Sequence, residues 1–182
     1  LFESAVTASS NSVVANAAIV RKVYFPRLIV PLAAAGAPLV DYAIGMGVLL
    51  VAMLFLGVAF SWQLIMLPLL VASTLVSVMG IGILLSALTV AYRDFRHIVP
   101  FLLRLLFFMT PVIYPVAIVP ERFQWLLSLN PIGGTVAAFR ACVLGQPIDT
   151  VGWAVSTLIG LALAVAGLIY FQRVQRRFAD IV

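Results

Sequence analysis

Four long apolar stretches, separated by short polar segments, dominate the pattern of hydrophobic and polar residues along the chain. They cover about residues 29–56, 62–91, 98–118 and 152–171. A bilayer core about 30 Å thick needs about 20 consecutive apolar residues in a helix. Backbone groups in lipid must be satisfied internally, and the alternation typical of barrel strands is absent. The pattern therefore predicts four membrane-spanning helices.

Basic residues predict which side of the membrane each polar segment occupies. One set of alternate segments carries eight of them: Arg21, Lys22, Arg27, Arg93, Arg96, Arg173, Arg176 and Arg177. The other set carries two, Arg122 and Arg140. Cytoplasmic loops are enriched in Lys and Arg, so we expect the first set, with the C-terminus, in the cytoplasm. The tryptophans agree, because Trp62, Trp125 and Trp153 fall at predicted outer ends, where such rings favour the interface.

The predicted outer segment between the third and fourth spans is too polar to cross a bilayer. A helical pattern begins at Pro120-Glu121 and is broken by Asn130-Pro131. A second pattern runs from Thr135 to Leu144, before Gly145 and Pro147. We expect two short helices within residues 120–147, lying in the outer interface.

Composition excludes a soluble globule. Hydrophobic residues make up 64% of the 182 residues, charged residues only 9%, and the mean hydropathy is +1.20. A soluble domain carries about a quarter charged residues. The net charge of +5 lies in short clusters between apolar runs, so it indicates membrane topology and not nucleic-acid binding.

Residues for catalysis, nucleotide binding and metal binding are missing. A phosphate-binding loop needs glycines followed by Lys and Ser or Thr, and the single lysine, Lys22, has no glycine nearby. His97, Cys142 and six carboxylates are scattered along the chain, which does not favour a metal site. We therefore expect no enzyme activity and no cofactor in this chain. If transport uses ATP, another polypeptide hydrolyses it.

Two ionisable residues, Asp41 and Arg104, fall inside predicted spans. Intramembrane charges often mark ion or substrate pathways. A structural role is favoured for both, but an ion-coupled secondary transporter that depends on Asp41 stays open as an alternative.

Four short sequence pieces resemble a known family. They are Lys22-Val23-Tyr24-Phe25-Pro26-Arg27, Tyr92-Arg93-Asp94-Phe95-Arg96-His97, Pro111-Val112-Ile113-Tyr114-Pro115, and Leu129-Asn130-Pro131 followed by Phe139-Arg140. In this order and spacing, the chain resembles the permease subunit of ABC-2 type exporters of polysaccharides and polyol phosphates. These export O-antigen, capsular polysaccharide or teichoic acid across the bacterial inner membrane. The resemblance covers essentially the whole chain.

The resemblance implies an all-α, polytopic membrane bundle of the ABC-2 type. Family members carry an N-terminal helix and two spans ahead of the first loop seen here, so we expect these to be missing and Leu1–Ala8 to end the second span. It also implies a homodimer of the permease, surrounded by membrane lipid, that moves a lipid-linked glycan. Two ABC ATPase subunits, which hold ATP and Mg, drive that movement.

The resemblance further assigns roles to residues. Residues 10–20 resemble the helix that couples the permease to its ATPase, and the coupling residues would be Ser12, Asn16, Arg21, Lys22, Phe25, Pro26 and Arg27. A cytoplasmic turn would contain Tyr92, Arg93 and Asp94. An outer gate or translocation path would contain Pro111, Tyr114, Pro115, Trp125, Asn130, Pro131 and Arg140. The alternatives are a plain basic loop for the first set, ordinary helix punctuation for the prolines, and lipid contact for the aromatic residues.

Three other functions stay open at this point. The first is an ABC-2 exporter of drugs or simple lipids. The second is the ion-coupled transporter, and the third is a membrane scaffold without cargo. The motif set and the aromatic outer segment favour glycan export over the first of these.

Overall fold

A computed structural model of the chain describes residues 1–18, 26–57, 61–92, 94–110, 127 and 129–174. The elements in these ranges are helices: α1 (Phe2–Ala15), α2 (Ile29–Ala34), α3 (Gly36–Phe55), α4 (Leu67–Ala91), α5 (Phe95–Met109), α6 (Gly133–Leu144) and α7 (Thr150–Val174), with a 3₁₀ turn over Trp62–Met66 before α4. The expectation of an all-α membrane bundle is confirmed.

Within the described ranges, three helical segments are long and apolar enough to cross a membrane: Ile29–Phe55, Trp62–Ala91 and Thr150–Val174. At a rise of about 1.5 Å per residue, a helix of 25 residues such as α7 spans about 37 Å, more than the core of a bilayer. The remaining predicted span, 98–118, is described as far as Thr110, and α5 covers its first part. The protein is therefore a multi-pass membrane protein.

The first long segment is divided at Ala35 into α2 and α3. Pro38 has no N–H to donate to the carbonyl group of Ala34, so the helical ladder is interrupted one turn before it. The backbone carbonyl of Pro31 accepts a hydrogen bond from the hydroxyl of Ser9 at 2.8 Å. This bond ties α2 to α1.

Helices α1, α4 and α7 run parallel and side by side at the centre of the bundle, and α4 and α7 share the most extensive contact. Small residues allow the close approach: a Cβ on Gly80 of α4 would lie 2.6 Å from the backbone nitrogen of Ala164. A Cβ on Gly82 of α4 would lie 2.7 Å from the Cβ of Ser9 on α1. Small residues are typical of such interfaces between membrane helices.

Two apolar clusters mark opposite ends of the bundle. Leu70, Ala138 and Cys142 pack with Trp153 at the end where α4 and α7 begin, which we call the tryptophan end. The second cluster lies where α1, α4 and α7 finish, which we call the opposite end, and it contains Val13, Ile83, Ala87, Val90 and Phe171.

Helix α1 is continuous, which differs from the expected division between the end of a span and a separate coupling helix from Ser10 onward. Ser10 and Ser12 are both buried. Their hydroxyls donate to backbone oxygens of the preceding turn, Thr7 at 2.9 Å and Ser9 at 2.7 Å. Because these bonds satisfy the hydroxyls within the helix, the serine-rich stretch fits inside the bundle.

Candidate functional site

Asn130 lies in a buried polar cluster near the tryptophan end. Only 8% of the residue is exposed. Its Nδ2 donates to Thr110 Oγ1 at 2.9 Å, and its Oδ1 accepts from the backbone N–H of Ile132 at 3.2 Å. Since Thr110 ends α5 and Ile132 precedes α6, the Asn130 side chain joins these two helices.

The backbone of the same turn is held by two serines from the central helices. Ser156 of α7 donates to the carbonyl oxygen of Asn130 at 2.8 Å and accepts from the N–H of Gly134 at 2.9 Å. Ser77 of α4 donates to the carbonyl oxygen of Pro131 at 3.0 Å. The Asn130-Pro131 turn is thus hydrogen-bonded to α4, α5, α6 and α7, so it connects helices as well as breaking one.

Glycines let α6 approach this junction closely. A Cβ on Gly134 would collide with the backbone oxygen of Gly152 on α7, and one on Gly133 with the backbone oxygen of Leu127. Helix α6 ends at Gly145, whose left-handed backbone (φ 66°) allows Gln146 N–H to donate to the carbonyl of Ala141 at 2.9 Å.

Arg140, another predicted gate residue, is exposed on α6 and lines a cavity of about 480 Å³ between α1, α3, α5 and α6. The cavity wall is mainly apolar with several hydroxyl groups, and includes Tyr42, Phe107, Thr110 and Phe139. The rings of Tyr42 and Phe139 meet edge to face, with centroids 6.2 Å apart. Arg140 therefore lines the same cavity as Thr110, the residue to which the Asn130 side chain donates a hydrogen bond.

The predicted coupling residues are only partly described. Ser12 is buried, whereas Asn16, at the end of α1, is exposed and its Nδ2 donates back to the Ser12 carbonyl at 2.8 Å. Pro26 is exposed and Arg27 half-buried. The surface that α1 offers to a partner at the opposite end of the bundle is therefore its last turn. Three further coupling residues lie outside the described residues: Arg21, Lys22 and Phe25.

The predicted cytoplasmic turn lies between α4 and α5. Tyr92 is 60% exposed and Asp94 is also exposed, and the Tyr92 ring packs against Phe95 with centroids 6.1 Å apart. Because Val90 and Val13 share the cluster at the opposite end, this turn lies at the same end of the bundle as the exposed end of α1. Arg93 lies outside the described residues.

Asp41 and Arg104 are both exposed, on α3 and α5. Within the described ranges they form no ion pair with each other or with another residue. In the same ranges, no three His, Cys, Asp or Glu side chains lie close enough to share a metal ion. The predicted gate residues Pro111, Tyr114, Pro115 and Trp125 fall outside the described residues.

Sequence reasoning missed the partners of Asn130. Thr110, Ser77 and Ser156 were not singled out, because serines and threonines in apolar helices commonly bond to their own helix. The sequence did contain one signal for such contacts, which was the spacing of two serines. Ser73 and Ser77 lie four residues apart on one face of α4, which is the face that meets α7. Trp153 Nε1 donates to Ser73 Oγ at 3.2 Å across that interface.

Comparison with known proteins gives consistent matches. Residues 1–144 match the family model described as ABC-2 type transporter. The chain is 28% identical over 182 residues to an O-antigen export system permease protein RfbA of Klebsiella pneumoniae, covering all of this chain and 70% of that protein. A protein of the same name from Myxococcus xanthus is 27% identical over 142 residues, which cover 77% of this chain and 55% of that one.

Proposed function

Because the chain belongs to the ABC-2 type transporter family, we propose that it is a permease subunit that exports a lipid-linked polysaccharide or polyol phosphate polymer. The observation that carries the proposal is the 28% identity to an O-antigen export permease, which extends over all 182 residues. That alignment includes the outer-segment motif Leu129-Asn130-Pro131 and the turn Tyr92-Arg93-Asp94, on which the resemblance also rests.

In the proposed complex, the chain acts in the bacterial inner membrane with its C-terminus in the cytoplasm. Two copies form the path, and a separate ABC ATPase subunit binds ATP and Mg and performs the hydrolysis. The uneven distribution of basic residues supports this orientation. The geometry supports the contact with the ATPase, because the exposed last turn of α1 and the exposed turn at Tyr92 and Asp94 lie at one end of the bundle.

The packing suggests how a displacement would travel. Ser9 packs against Gly82, and Gly80 packs against Ala164, so α1, α4 and α7 are in contact through small residues and backbone. A displacement applied at the end of α1 would move these three helices together. Helix α5 would follow through Val99 and Leu103, which pack against α1, and through the bond from Asn130 to Thr110.

The first experiment tests the ATPase partner. The tagged protein is purified in mild detergent from its native membrane with a cysteine in place of Val14, which is 37% exposed on the last turn of α1. We expect an ATP-binding subunit to copurify and to crosslink to that cysteine. The matched control places the cysteine at Leu56, which is 78% exposed at the far end of α3 and should give no crosslink. Purification of the intact protein without an ATPase subunit would rule out the hypothesis of ATP-driven export.

The second experiment tests the cargo and the ion-coupled alternative. Deleting the gene should remove a glycan from the cell surface, and the wild-type gene should restore it. Asp41→Asn should restore it equally well, since Asp41 has no assigned role in ATP-driven export. Export that depends on Asp41 and on a proton or sodium gradient would favour the secondary transporter.

A further inference from the structure

The cavity between α1, α3, α5 and α6 has a buried hydroxyl group without a partner in its wall. Thr135 of α6 lines this cavity, and only 3% of the residue is exposed. Its Oγ1 forms no hydrogen bond to any of the described residues. Burying a hydroxyl without a hydrogen bond is unfavourable, and most buried polar groups have a partner. A ligand in the cavity could supply that partner.

The usual partner of a helical threonine is not used by Thr135. A threonine inside a helix commonly donates to the carbonyl four residues earlier, as Thr89 does to Leu85 at 2.8 Å. The corresponding carbonyl for Thr135 belongs to Pro131, and it accepts instead from Ser77 of α4 at 3.0 Å. The contact that fixes the Pro131 turn to α4 therefore leaves the Thr135 hydroxyl available.

The rest of the cavity wall combines aromatic surface with further hydroxyl groups. Phe107 and Phe139 line the cavity, and so do Ser4 and Tyr42. Its volume of about 480 Å³ falls within the range of about 300–1,000 Å³ that is typical of small-molecule sites. Such sites are mostly apolar with a few polar groups that fix the orientation of the ligand. This wall suits a ligand with an apolar face and hydroxyl groups at its edge.

The charges on the wall favour a neutral ligand. Among the described residues, the charged side chains that line the cavity are Glu3 and Arg140, whose formal charges cancel. A phosphate group would need an excess of positive charge. An alkyl chain would leave the Thr135 hydroxyl without a partner. A sugar ring satisfies both conditions, because it is uncharged, its C–H faces are apolar, and its hydroxyls donate and accept hydrogen bonds.

We propose that this cavity binds a neutral sugar unit of the exported polymer. The Thr135 hydroxyl bonds to a hydroxyl of the sugar, and the rings of Phe107 and Phe139 contact its apolar face. This inference rests on the proposed function, because it assumes a glycan cargo. It also narrows that function, since the cargo is then a polysaccharide and not a polyol phosphate polymer.

The test measures the binding of labelled oligosaccharides to the full-length permease with its ATPase subunit in nanodiscs. Mild acid releases the oligosaccharides from the surface glycan of the same strain, and a glycerol phosphate oligomer is the charged comparison. Thr135→Val removes the hydroxyl and keeps the shape of the side chain. It should weaken oligosaccharide binding about two- to tenfold, which is the effect of one hydrogen bond. Tyr42→Phe should act in the same direction.

The matched control is Thr89→Val. Thr89 is equally buried, at 1% exposed, but it bonds within its own helix and lies outside the cavity wall. Its replacement should change binding by less than about twofold. A melt of the ligand-free complex adds a second readout. Thr135→Val should leave Tm unchanged or raise it, since it breaks no hydrogen bond among the described residues, whereas Thr89→Val should lower it.

Three results of the binding assay would overturn the inference. In the first, the parent does not bind the oligosaccharides, or Thr135→Val binds them as tightly as the parent does. In the second, Thr89→Val weakens binding as much as Thr135→Val, which would make the effect structural. In the third, dodecanol displaces the oligosaccharides at equal concentration, or the glycerol phosphate oligomer binds more tightly than they do. The ligand would then be an alkyl chain or an anion.

Cell-surface glycan distinguishes a failure of this inference from a failure of the proposed function. If the gene deletion abolishes the glycan but Thr135→Val binds the oligosaccharides normally, the inference is wrong and the proposed function stands. If the deletion leaves every surface glycan unchanged, the proposed function is wrong, whatever the binding assay gives. Support for both requires loss of glycan in the deletion and weaker binding by Thr135→Val, with normal binding by Thr89→Val.

Discussion

Replacing Asn130 with alanine tests the junction at the tryptophan end. The variant loses the bond from Nδ2 to Thr110 Oγ1 and the acceptor for Ile132 N–H. A buried N–H without a partner costs about 1–3 kcal/mol. Hydrogen bonds between membrane helices contribute about 0.6 kcal/mol on average and up to about 1.7 kcal/mol. Thr110 keeps its bond to the carbonyl of Leu106, so it adds no further penalty. We expect a total loss of about 2–4 kcal/mol from these two terms.

The assay is a thermal melt of the purified protein in mild detergent, followed by fluorescence-detected size exclusion. For a chain of this size, each kcal/mol lowers Tm by about 2–4 °C, so Asn130→Ala should lower it by roughly 5–15 °C. The matched control is Asn16→Ala, which removes an exposed asparagine whose side chain bonds only within its own turn. It should shift Tm by less than about 2 °C, because surface changes of this kind stay within about 0.5 kcal/mol.

A double-mutant cycle isolates the bond between Asn130 and Thr110. In a Thr110→Val background, Asn130→Ala should cost less than in the wild type, by about 0.6–1.7 kcal/mol. Equal Tm values for Asn130→Ala and Asn16→Ala would refute a stabilising role for the Asn130 junction. Strictly additive losses in the cycle would show that the bond to Thr110 does not contribute to that role.

Two further predictions concern packing and reactivity. Gly80→Ala should destabilise the protein by about 1–3 kcal/mol in the same melt, because the new methyl meets the backbone of Ala164. Gly47→Ala should not destabilise the protein, because a Cβ at Gly47 meets nothing within 4 Å. An equal loss of stability in both variants would contradict the packing of α4 on α7. Burial raises the pKa of the Cys142 thiol, so it stays protonated at pH values where ordinary thiols ionise. Maleimide at neutral pH should therefore label a cysteine at Val14 and leave the buried Cys142 unmodified, and rapid labelling of Cys142 would show that α6 opens.

The helices could be predicted from the sequence because lipid leaves the backbone few alternatives. The apolar runs gave bounds near those of the helices at 62–91 and 150–174. The helix that ends before Gly145 was also visible as a local signal. These features depend on neighbouring residues alone, and a single sequence contains them in full.

The buried polar contacts could not be predicted in the same way. A serine in an apolar helix can bond to its own helix or to another segment. Ser10 donates to Thr7 in its own helix, whereas Ser156 donates to the carbonyl oxygen of Asn130. The continuity of α1 was missed for a related reason. Its serines suggested a polar surface helix, but the hydroxyls of the buried serines Ser9, Ser10 and Ser12 each donate to a backbone carbonyl, so they enter the bundle without being left unsatisfied.

Close packing through small residues makes the central helices one unit. Helices α1, α4 and α7 meet through glycine, alanine and serine with little free space, so relative sliding would force backbone atoms together. Among the described residues, helix α5 packs on α1 through Val99 and Leu103 and is linked to the Asn130 turn through Thr110. A partner that tilts α1 would thus move the central helices as a unit, and α5 would follow through its contacts with α1 and with the Asn130 turn. The junction at Asn130 would then limit how far the Thr110 end of α5 moves, because that bond joins α5 to a turn held by the central helices.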